Sequence, residues 1–244
     1  MKRFPKVELH RHLEGTFSIP ALHRIAQKNG LPYPEDIELF RKEVQFPKDS
    51  EPDFLKFLSK FKNDWYASHQ DVYDIVYASV SDFVEDGLFY IELRFSPEHF
   101  ALKNNFDRQE IARLVIKAAN TAAKEQGVDI RYLITFNRGK QDQDGMKALY
   151  DNIKSLKIPE IVGIDLAGDE SSFPPELFKD FFHVVANEGI YGATIHAGEV
   201  MPSRVPMPTL PAFVAGDPSR ADHGTRNLRN GFTIGLWVTI NNLS

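Results

Sequence analysis

Apolar positions along the chain follow two periodicities, and from residue 89 onward these alternate regularly. Apolar residues with a period of 2 predict strands, and apolar residues at helical spacing predict the helices between them. Alternating strands and helices are typical of parallel strands joined by crossover helices. We expect strands over residues 89–95, 128–136, 161–166 and 191–196, and helices over residues 107–126, 145–155 and 174–187.

The residues before this regular part predict one further strand and helix, followed by a helical insertion. A short strand begins at Val7, and the helix after it starts near Ser18 and Pro20 and ends at Asn29-Gly30. Residues 33–87 carry helical spacing and few strand signals, which predicts two or three helices. We expect most apolar residues of this insertion to lie in the core, although some could form an apolar lid over a ligand pocket.

Five strands of this kind fit either a parallel barrel or an open doubly wound sheet. We expect residues 1–244 to form a single domain. Residues 201–244 are atypical, because five prolines fall within residues 202–218 and prevent a regular helix there. A last strand is predicted over residues 236–240.

Composition narrows the class of protein. Of the 244 residues, 42% are apolar and 26% are charged, which is typical of a soluble globular protein. The net charge of −5 argues against a nucleic-acid-binding surface as the main function. No apolar stretch approaches the roughly 18 residues of a membrane span, and no signal peptide is visible. We therefore expect a cytoplasmic protein with neither nucleic acid nor membrane as partner, and the oligomeric state stays open.

The chain contains no cysteine, and this restricts the kinds of site that it can form. Disulfides, thiolate metal sites and a cysteine nucleophile are excluded, so a zinc site must use His, Asp or Glu. The sequence also lacks a GxGxxG motif after the first strand and a GxxxxGK[ST] motif anywhere. Dinucleotide and P-loop phosphate sites are therefore unsupported.

Two histidines separated by one residue, His10 and His12, lie on the first predicted strand. Because side chains on a strand repeat with a period of 2, both imidazoles project from the same side. Two neutral imidazoles suit a borderline divalent ion such as zinc. The alternative is a surface strand that carries this short pattern by chance.

Further candidate residues lie at or after other predicted strand ends. His196 ends the fifth strand and Glu199 follows it, which offers a third histidine ligand beside a general acid or base. After the fourth strand, Gly168 could present its amide to a ligand, and Asp165 could orient a neighbouring side chain. His223 adds a histidine beside a glycine. Each of these has a purely structural alternative, such as a histidine satisfied in the core or an acidic turn before a helix.

Taken together, the motifs resemble those of the adenosine deaminase family, in the same order along the chain. The resemblance extends from about Pro5 to Val200 and survives in fragments beyond. It implies an α/β fold of the TIM (β/α)8 type, a parallel barrel that is incomplete here and has a helical insertion after the first strand. It also implies zinc-dependent hydrolytic deamination of adenosine or deoxyadenosine, with a small-molecule purine nucleoside or base as partner. The matching stretches are ELHRHLEG at 8–15, GIDLAGDE at 163–170, HAGE at 196–199 and HGTR at 223–226.

The same resemblance implies roles for individual residues. His10, His12 and His196 match the three histidines of the family that bind Zn²⁺. Glu199 matches the acid that protonates a ring nitrogen of the purine. His223 matches the histidine that orients the attacking water and removes its proton.

Departures from the family pattern keep other functions open. Gly168 matches a backbone contact to the purine, but Glu14 stands where many adenosine deaminases have an aspartate that contacts the ribose. The longer side chain leaves adenine or a modified adenosine as an alternative substrate. Residues 238–244 lack the late Asp-Asp-Pro run that supplies the family's remaining zinc ligand, so a catalytically impaired remnant is a further alternative. A different metal-dependent hydrolase is a third, although the motif at His196 speaks against it.

Overall fold

The computed structural model describes residues 6–46, 53–83 and 87–196. In these ranges five strands form one sheet whose order follows the chain, and every pairing between them is parallel. The predicted parallel arrangement is therefore confirmed, and β2 to β5 begin and end within two residues of the predicted bounds. The strands are β1 (Lys6–His12), β2 (Leu88–Phe95), β3 (Asp129–Arg138), β4 (Ile161–Gly168) and β5 (Gly192–Ile195).

Helices connect the strands, and three of them form the insertion before β2. Two differences from prediction are the short α5, and the division of the last helix into a 3-10 turn at Pro175–Phe178 and α8. No helix in these ranges is long and apolar enough to cross a membrane. The helices are α1 (Ile19–Lys28), α2 (Ile37–Val44), α3 (Phe54–Leu58), α4 (His69–Asp82), α5 (Pro97–Ala101), α6 (Arg108–Gln126), α7 (Gln143–Leu156) and α8 (Lys179–Glu188).

Local signals at the helix ends explain why these segments are helical. The side chain of Asp107 accepts a hydrogen bond from the main-chain N–H of Glu110 and so begins α6. Gly127 ends the same helix at φ +71°, a left-handed conformation that favours glycine. Ser68 and Asp71 form a reciprocal capping box at the start of α4.

The two faces of the sheet differ in chemistry because strand side chains alternate. On one face, apolar side chains pack against the helices: Phe136 lies 5.0 Å from Phe181 of α8 between ring centroids, and the Tyr132 hydroxyl donates to Asn120 of α6 at 2.7 Å. The opposite face is polar. It includes Arg94, Thr135 and Asp165, all buried, which lie in register with residues of the neighbouring strands.

This asymmetry decides between the two predicted architectures. An open doubly wound sheet has helices on both faces, whereas here the helices cover one face and the polar residues line the other. The five strands curl into an incomplete parallel barrel of the TIM type, as expected. The proline-rich residues 201–244 and the predicted strand at 236–240 lie outside the described residues.

Candidate metal centre

Three imidazoles meet at the carboxyl end of the sheet. His10 and His12 lie on β1, and His196 directly follows β5. The Nε2 atom of His12 lies 3.1 Å from Nε2 of His10 and 2.9 Å from Nε2 of His196. One nitrogen from each ring lies within 4.8 Å of the others. The curl of the sheet thus joins the two outermost described strands in one cluster.

Burial keeps the two imidazoles of β1 unprotonated at neutral pH. It lowers the pKa of His10 to about 3, and the positive charge of Arg94 lowers it further. Burial likewise lowers the pKa of His12 to about 4, although the Asp165 carboxylate opposes this shift. A neutral imidazole has a free lone pair on one nitrogen, which is the form that binds a metal.

The ring of His196 is oriented by hydrogen-bond acceptors at its second nitrogen. Its Nδ1 atom lies 3.1 Å from Oδ1 of Asp165 and 3.2 Å from the carbonyl oxygen of Leu166. A proton on Nδ1 can be donated to these acceptors, which leaves the lone pair on Nε2 directed at His10 and His12. A carboxylate behind a histidine is the usual arrangement around metal ligands.

The two nitrogen separations around His12 fit a zinc ion. Zinc binds imidazole nitrogen at about 2.0–2.1 Å with tetrahedral geometry, which separates neighbouring ligand nitrogens by about 3.4 Å. The observed separations of 3.1 and 2.9 Å are close to this value. Lone pairs that approach so closely repel one another unless a proton or a cation lies between them. The donor set therefore suits a divalent cation of the imidazole-binding class.

Asp165 is the centre of the polar network behind the cluster. Its side chain is completely buried, and it accepts hydrogen bonds from Thr194 at 2.6 Å and from Thr135 at 3.4 Å. The Arg94 guanidinium lies 3.4 Å away. Burial alone would raise the pKa of Asp165, but its contacts with the His196 imidazole and with the Arg94 guanidinium hold that pKa well below its usual range.

Glu14 lies two residues after the end of β1, the strand that carries His10 and His12. Its Oε1 atom accepts a hydrogen bond from the main-chain N–H of Ser96 at 2.6 Å. The Ser96 hydroxyl in turn accepts a hydrogen bond from the Asn137 amide. Burial raises the pKa of Glu14 to about 7, against the lowering effect of the Ser96 hydrogen bond. Glu14, which stands at the position of the family's ribose-contacting aspartate, is thus bound to Ser96 between β2 and α5.

Gly168 ends β4 in a conformation and a space that only glycine suits. Its φ is +111°, and a Cβ atom there would lie 3.1 Å from the carbonyl oxygen of Arg138. The predicted contact between its amide and a purine stays a prediction. Glu199 and His223, the two predicted catalytic residues, lie outside the described residues, so their roles also stay predictions.

The sequence reasoning missed Arg94, Thr135 and Thr194 as parts of the site. One signal was visible for Arg94, since it is a charged residue inside an apolar strand, which is rarely buried unless paired. The two threonines have no comparable signal. They become recognisable only from strand register, because Asp165 pairs with Thr135 on one side and with Thr194 on the other.

With this geometry established, comparison with known proteins identifies the family. The family model for adenosine deaminase matches residues 5–232. The chain belongs to the adenosine deaminase family. A curated member, the adenosine deaminase of Edwardsiella ictaluri (strain 93-146), is 32% identical over 204 residues, which are 81% of this chain and 59% of that protein. This member of the family thus spans less than two thirds of the length of that relative.

Solved structures of similar fold include two that bear on this adenosine deaminase family member. Adenine deaminase from Arthrobacter aurescens matches with a TM-score of 0.68 and 26% identity, over 81% of this chain and 59% of that one. An amidohydrolase from Burkholderia ambifaria, crystallised with bound zinc, matches with a TM-score of 0.68 and 24% identity, over 80% and 52% of the two chains. These similarities agree with the incomplete TIM-type barrel.

Proposed function

We propose that this chain is a zinc-dependent hydrolase that deaminates adenosine or deoxyadenosine to inosine or deoxyinosine and ammonia. The observation that carries the proposal is the convergence of His10, His12 and His196 at the carboxyl end of the sheet. Active sites of TIM-type barrels lie at this end. Membership of the adenosine deaminase family supports the reaction class.

In this proposal, His10, His12 and His196 hold the ion, and a bound zinc ion supplies activation of water by lowering its pKa toward about 7. His223 orients the water and accepts its proton. Glu199 donates a proton to a ring nitrogen as the carbon–oxygen bond forms. The amino group then takes the proton from His223 and leaves as ammonia when the carbon–nitrogen bond breaks, and the new hydroxyl returns its proton to Glu199. Asp165 keeps the proton of His196 on Nδ1.

A second candidate substrate is the free base adenine, and the environment of Glu14 favours it. One oxygen of the Glu14 carboxylate already accepts the Ser96 N–H at 2.6 Å. A ribose that used this carboxylate would compete with that hydrogen bond. The 26% identity with an adenine deaminase also supports this candidate.

The test is to purify the full chain, measure zinc per chain, and follow deamination of adenosine, deoxyadenosine and adenine in parallel. We expect about one zinc per chain and loss of the amino group from at least one of the three compounds. Folded protein that neither binds zinc nor deaminates any of them would overturn the proposal. That result would instead support the impaired remnant, and activity on phosphate esters would support a different hydrolase.

Three variants separate the assigned roles. His10→Ala should lose zinc and activity together, because a ligand is removed. Glu199→Gln should keep zinc but lose turnover, because the amide cannot donate the proton. His183→Ala is the matched control, since His183 is an exposed histidine on α8, and it should change neither quantity. Undiminished zinc in His10→Ala would refute the ligand assignment.

Glu14→Asp distinguishes the substrates. The shorter side chain weakens the link to Ser96. If adenine is the substrate, this variant should raise the activity on adenosine relative to adenine. If adenosine is the substrate, the ratio should stay the same or fall.

A further inference from the structure

Arg138, the last residue of β3, links two parts of the molecule that meet at the metal centre. Its side chain is completely buried. One guanidinium nitrogen, Nη2, donates a hydrogen bond to the main-chain carbonyl oxygen of His196. The other, Nη1, lies 3.7 Å from Oε2 of Glu170 in the loop that follows β4. A single buried arginine thus contacts both the β4–α8 loop and the main chain of a candidate zinc ligand.

The loop that carries Glu170 has a defined turn. The side chain of Asp169 accepts hydrogen bonds from the main-chain N–H groups of Ser171 at 3.0 Å and Ser172 at 3.3 Å. Its carbonyl oxygen accepts a hydrogen bond from the N–H of Phe173 at 3.1 Å. These bonds hold residues 169–173 as a compact unit.

The same loop packs on the residue that follows Arg138. Gly139 adopts φ +77°, which favours glycine, and a Cβ atom there would lie 2.5 Å from the ring of Phe173. Gly168 allows a similar approach on the other side, where a Cβ atom would lie 3.3 Å from the main-chain nitrogen of Arg138. These two glycine contacts therefore hold the β4–α8 loop close to the main chain around Arg138.

The contact matters because His196 is fixed by its main chain as well as its ring. Its N–H donates to the carbonyl oxygen of Leu166 at 2.9 Å, and its carbonyl oxygen accepts from Arg138. The first bond comes from β4, the neighbouring strand, and the second from β3, which lies one strand further away. A charge-assisted hydrogen bond from a buried guanidinium is among the stronger ones available to a protein.

We propose that Arg138 is a positioning residue of the metal centre, which fixes the main chain of His196 and couples it to the β4–α8 loop through Glu170. This inference rests on the proposed function, in which His196 is a zinc ligand. Groups that orient a ligand from behind commonly contribute about 10- to 100-fold in metal affinity. We expect Arg138→Ala to weaken zinc binding by about 10-fold, since the ring contacts to Asp165 and Leu166 remain.

The test titrates the metal-free full chain with zinc in competition with a chromophoric chelator, without any substrate. Four variants are compared with the parent protein: Arg138→Ala, Arg138→Lys, Glu170→Gln and Arg131→Ala. The last is the control, because Arg131 lies on the same strand but is partly exposed and pairs with Asp129. The expected order of affinity loss is Arg138→Ala first, then Arg138→Lys, then Glu170→Gln, with no loss for Arg131→Ala.

Chemical rescue gives a result that a general packing defect would not produce. Guanidinium ion, added below the concentrations that unfold the protein, should fill the site of the missing side chain and restore zinc affinity in Arg138→Ala. It should have no effect on the control. Zinc affinity equal to that of the parent, or a loss that guanidinium leaves unchanged, would overturn the proposal. If Arg138→Ala does not fold, an unchanged affinity in both Arg138→Lys and Glu170→Gln overturns it.

The outcomes also distinguish this inference from the proposed function. A parent protein that binds zinc but deaminates no purine contradicts the proposed function, while the titration still tests Arg138. An active parent whose Arg138→Ala variant binds zinc equally well contradicts only the role of Arg138.

Discussion

The β5 edge and the β1 edge of the described sheet supply the same kind of ligand but hold it in different ways. At the β5 edge, His196 is 5% exposed and is held by polar contacts with residues of β3 and β4. Leu166 contacts both its N–H and its Nδ1, Asp165 contacts Nδ1, and Arg138 contacts its carbonyl oxygen. A buried network of side-chain and main-chain contacts determines the position of this ligand.

At the β1 edge, the position of the histidines depends mainly on the path of the main chain. The pairing of β1 with β2 shifts register between Glu8 and Arg11, which is where His10 lies. The N–H of His10 donates to the carboxylate of Glu8 at 3.0 Å. On the other side of this strand, Val7 is 60% exposed and Leu9 is 54% exposed.

The difference shows that one metal centre can combine a ligand held by a buried polar network with ligands held by an irregular strand. Loss of a buried charge is costly, whereas loss of a half-exposed hydrogen bond is not. Substitutions behind His196 should therefore have larger effects than comparable substitutions behind His10.

The largest expected effect is that of Asp165→Asn. The substitution removes the carboxylate that faces His196 Nδ1 and the buried Arg94. Breaking a buried ion pair costs about 3–5 kcal/mol, and losing the group behind a metal ligand costs about 10- to 100-fold in affinity. Urea unfolding and a zinc titration measure the two effects.

Asp151→Asn is the control for that experiment. Asp151 also pairs with a cation, Lys154, but is 54% exposed, and such surface pairs contribute about 0–1 kcal/mol. The comparison between the two edges would be wrong if the two variants lost similar stability.

Acid should destabilise the metal-free protein through the β1 edge. Burial lowers the pKa of His10 to about 3 and that of His12 to about 4 from an unfolded value of 6.5. Between these values the unfolded chain binds more protons than the folded one, so the free energy of unfolding falls as the pH falls. Each histidine contributes about 1.4 kcal/mol per pH unit in that window. Buried His99, whose pKa is lowered to about 3, adds a similar slope, and Glu14, whose pKa is raised to about 7, subtracts one, so the net slope is about that of His10 and His12 together.

Urea unfolding of the metal-free protein from about pH 7 to about pH 4.5 measures this slope. His10→Asn should flatten it, and the exposed His183→Asn should leave it unchanged. If the free energy of unfolding of His10→Asn falls with pH as steeply as that of the parent protein, groups other than His10 cause the acid sensitivity.

The smallest expected effect is that of Glu8→Gln. The amide oxygen can still accept the N–H of His10, so only the charge of the acceptor is lost. We expect the free energy of unfolding to fall by at most about 1.5 kcal/mol and the zinc affinity to fall by less than about tenfold. A zinc affinity as low as that of Asp165→Asn would remove the distinction between the two edges.

The strands and the three histidines could be predicted because each depends on local pattern. Apolar periodicity located the strands, and parallel strands bring their carboxyl ends to one side of the sheet, which joined His10, His12 and His196 in one hypothesis. What local pattern does not contain is the curl of the sheet, which brings Nε2 of His12 to 2.9 Å from Nε2 of His196. That distance depends on the packing of the whole sheet.

The contacts of the buried arginines could not be predicted from local sequence pattern either. Arg94 stands out in the sequence as a cation within an apolar strand, whereas Arg138 follows the predicted strand end at residue 136. The contact of Arg94 with Asp165 and that of Arg138 with His196 depend on strand register and on tight turns. The short α5 was missed although Ser96 and Pro97 are good residues for a helix start. The strand predicted over residues 89–95 leads directly into Ser96 and Pro97, so these two residues were assigned to the end of the strand.

The order of the strands has a consequence for how the protein folds. Each described strand pairs only with its neighbours in the chain, so the sheet can grow by adding one unit at a time. The contact between His12 and His196, by contrast, joins residues 184 positions apart. Because such long-range contacts form late, the imidazole cluster is complete only after β5 has docked. Capture of a metal ion during refolding therefore marks the arrival of the last described strand.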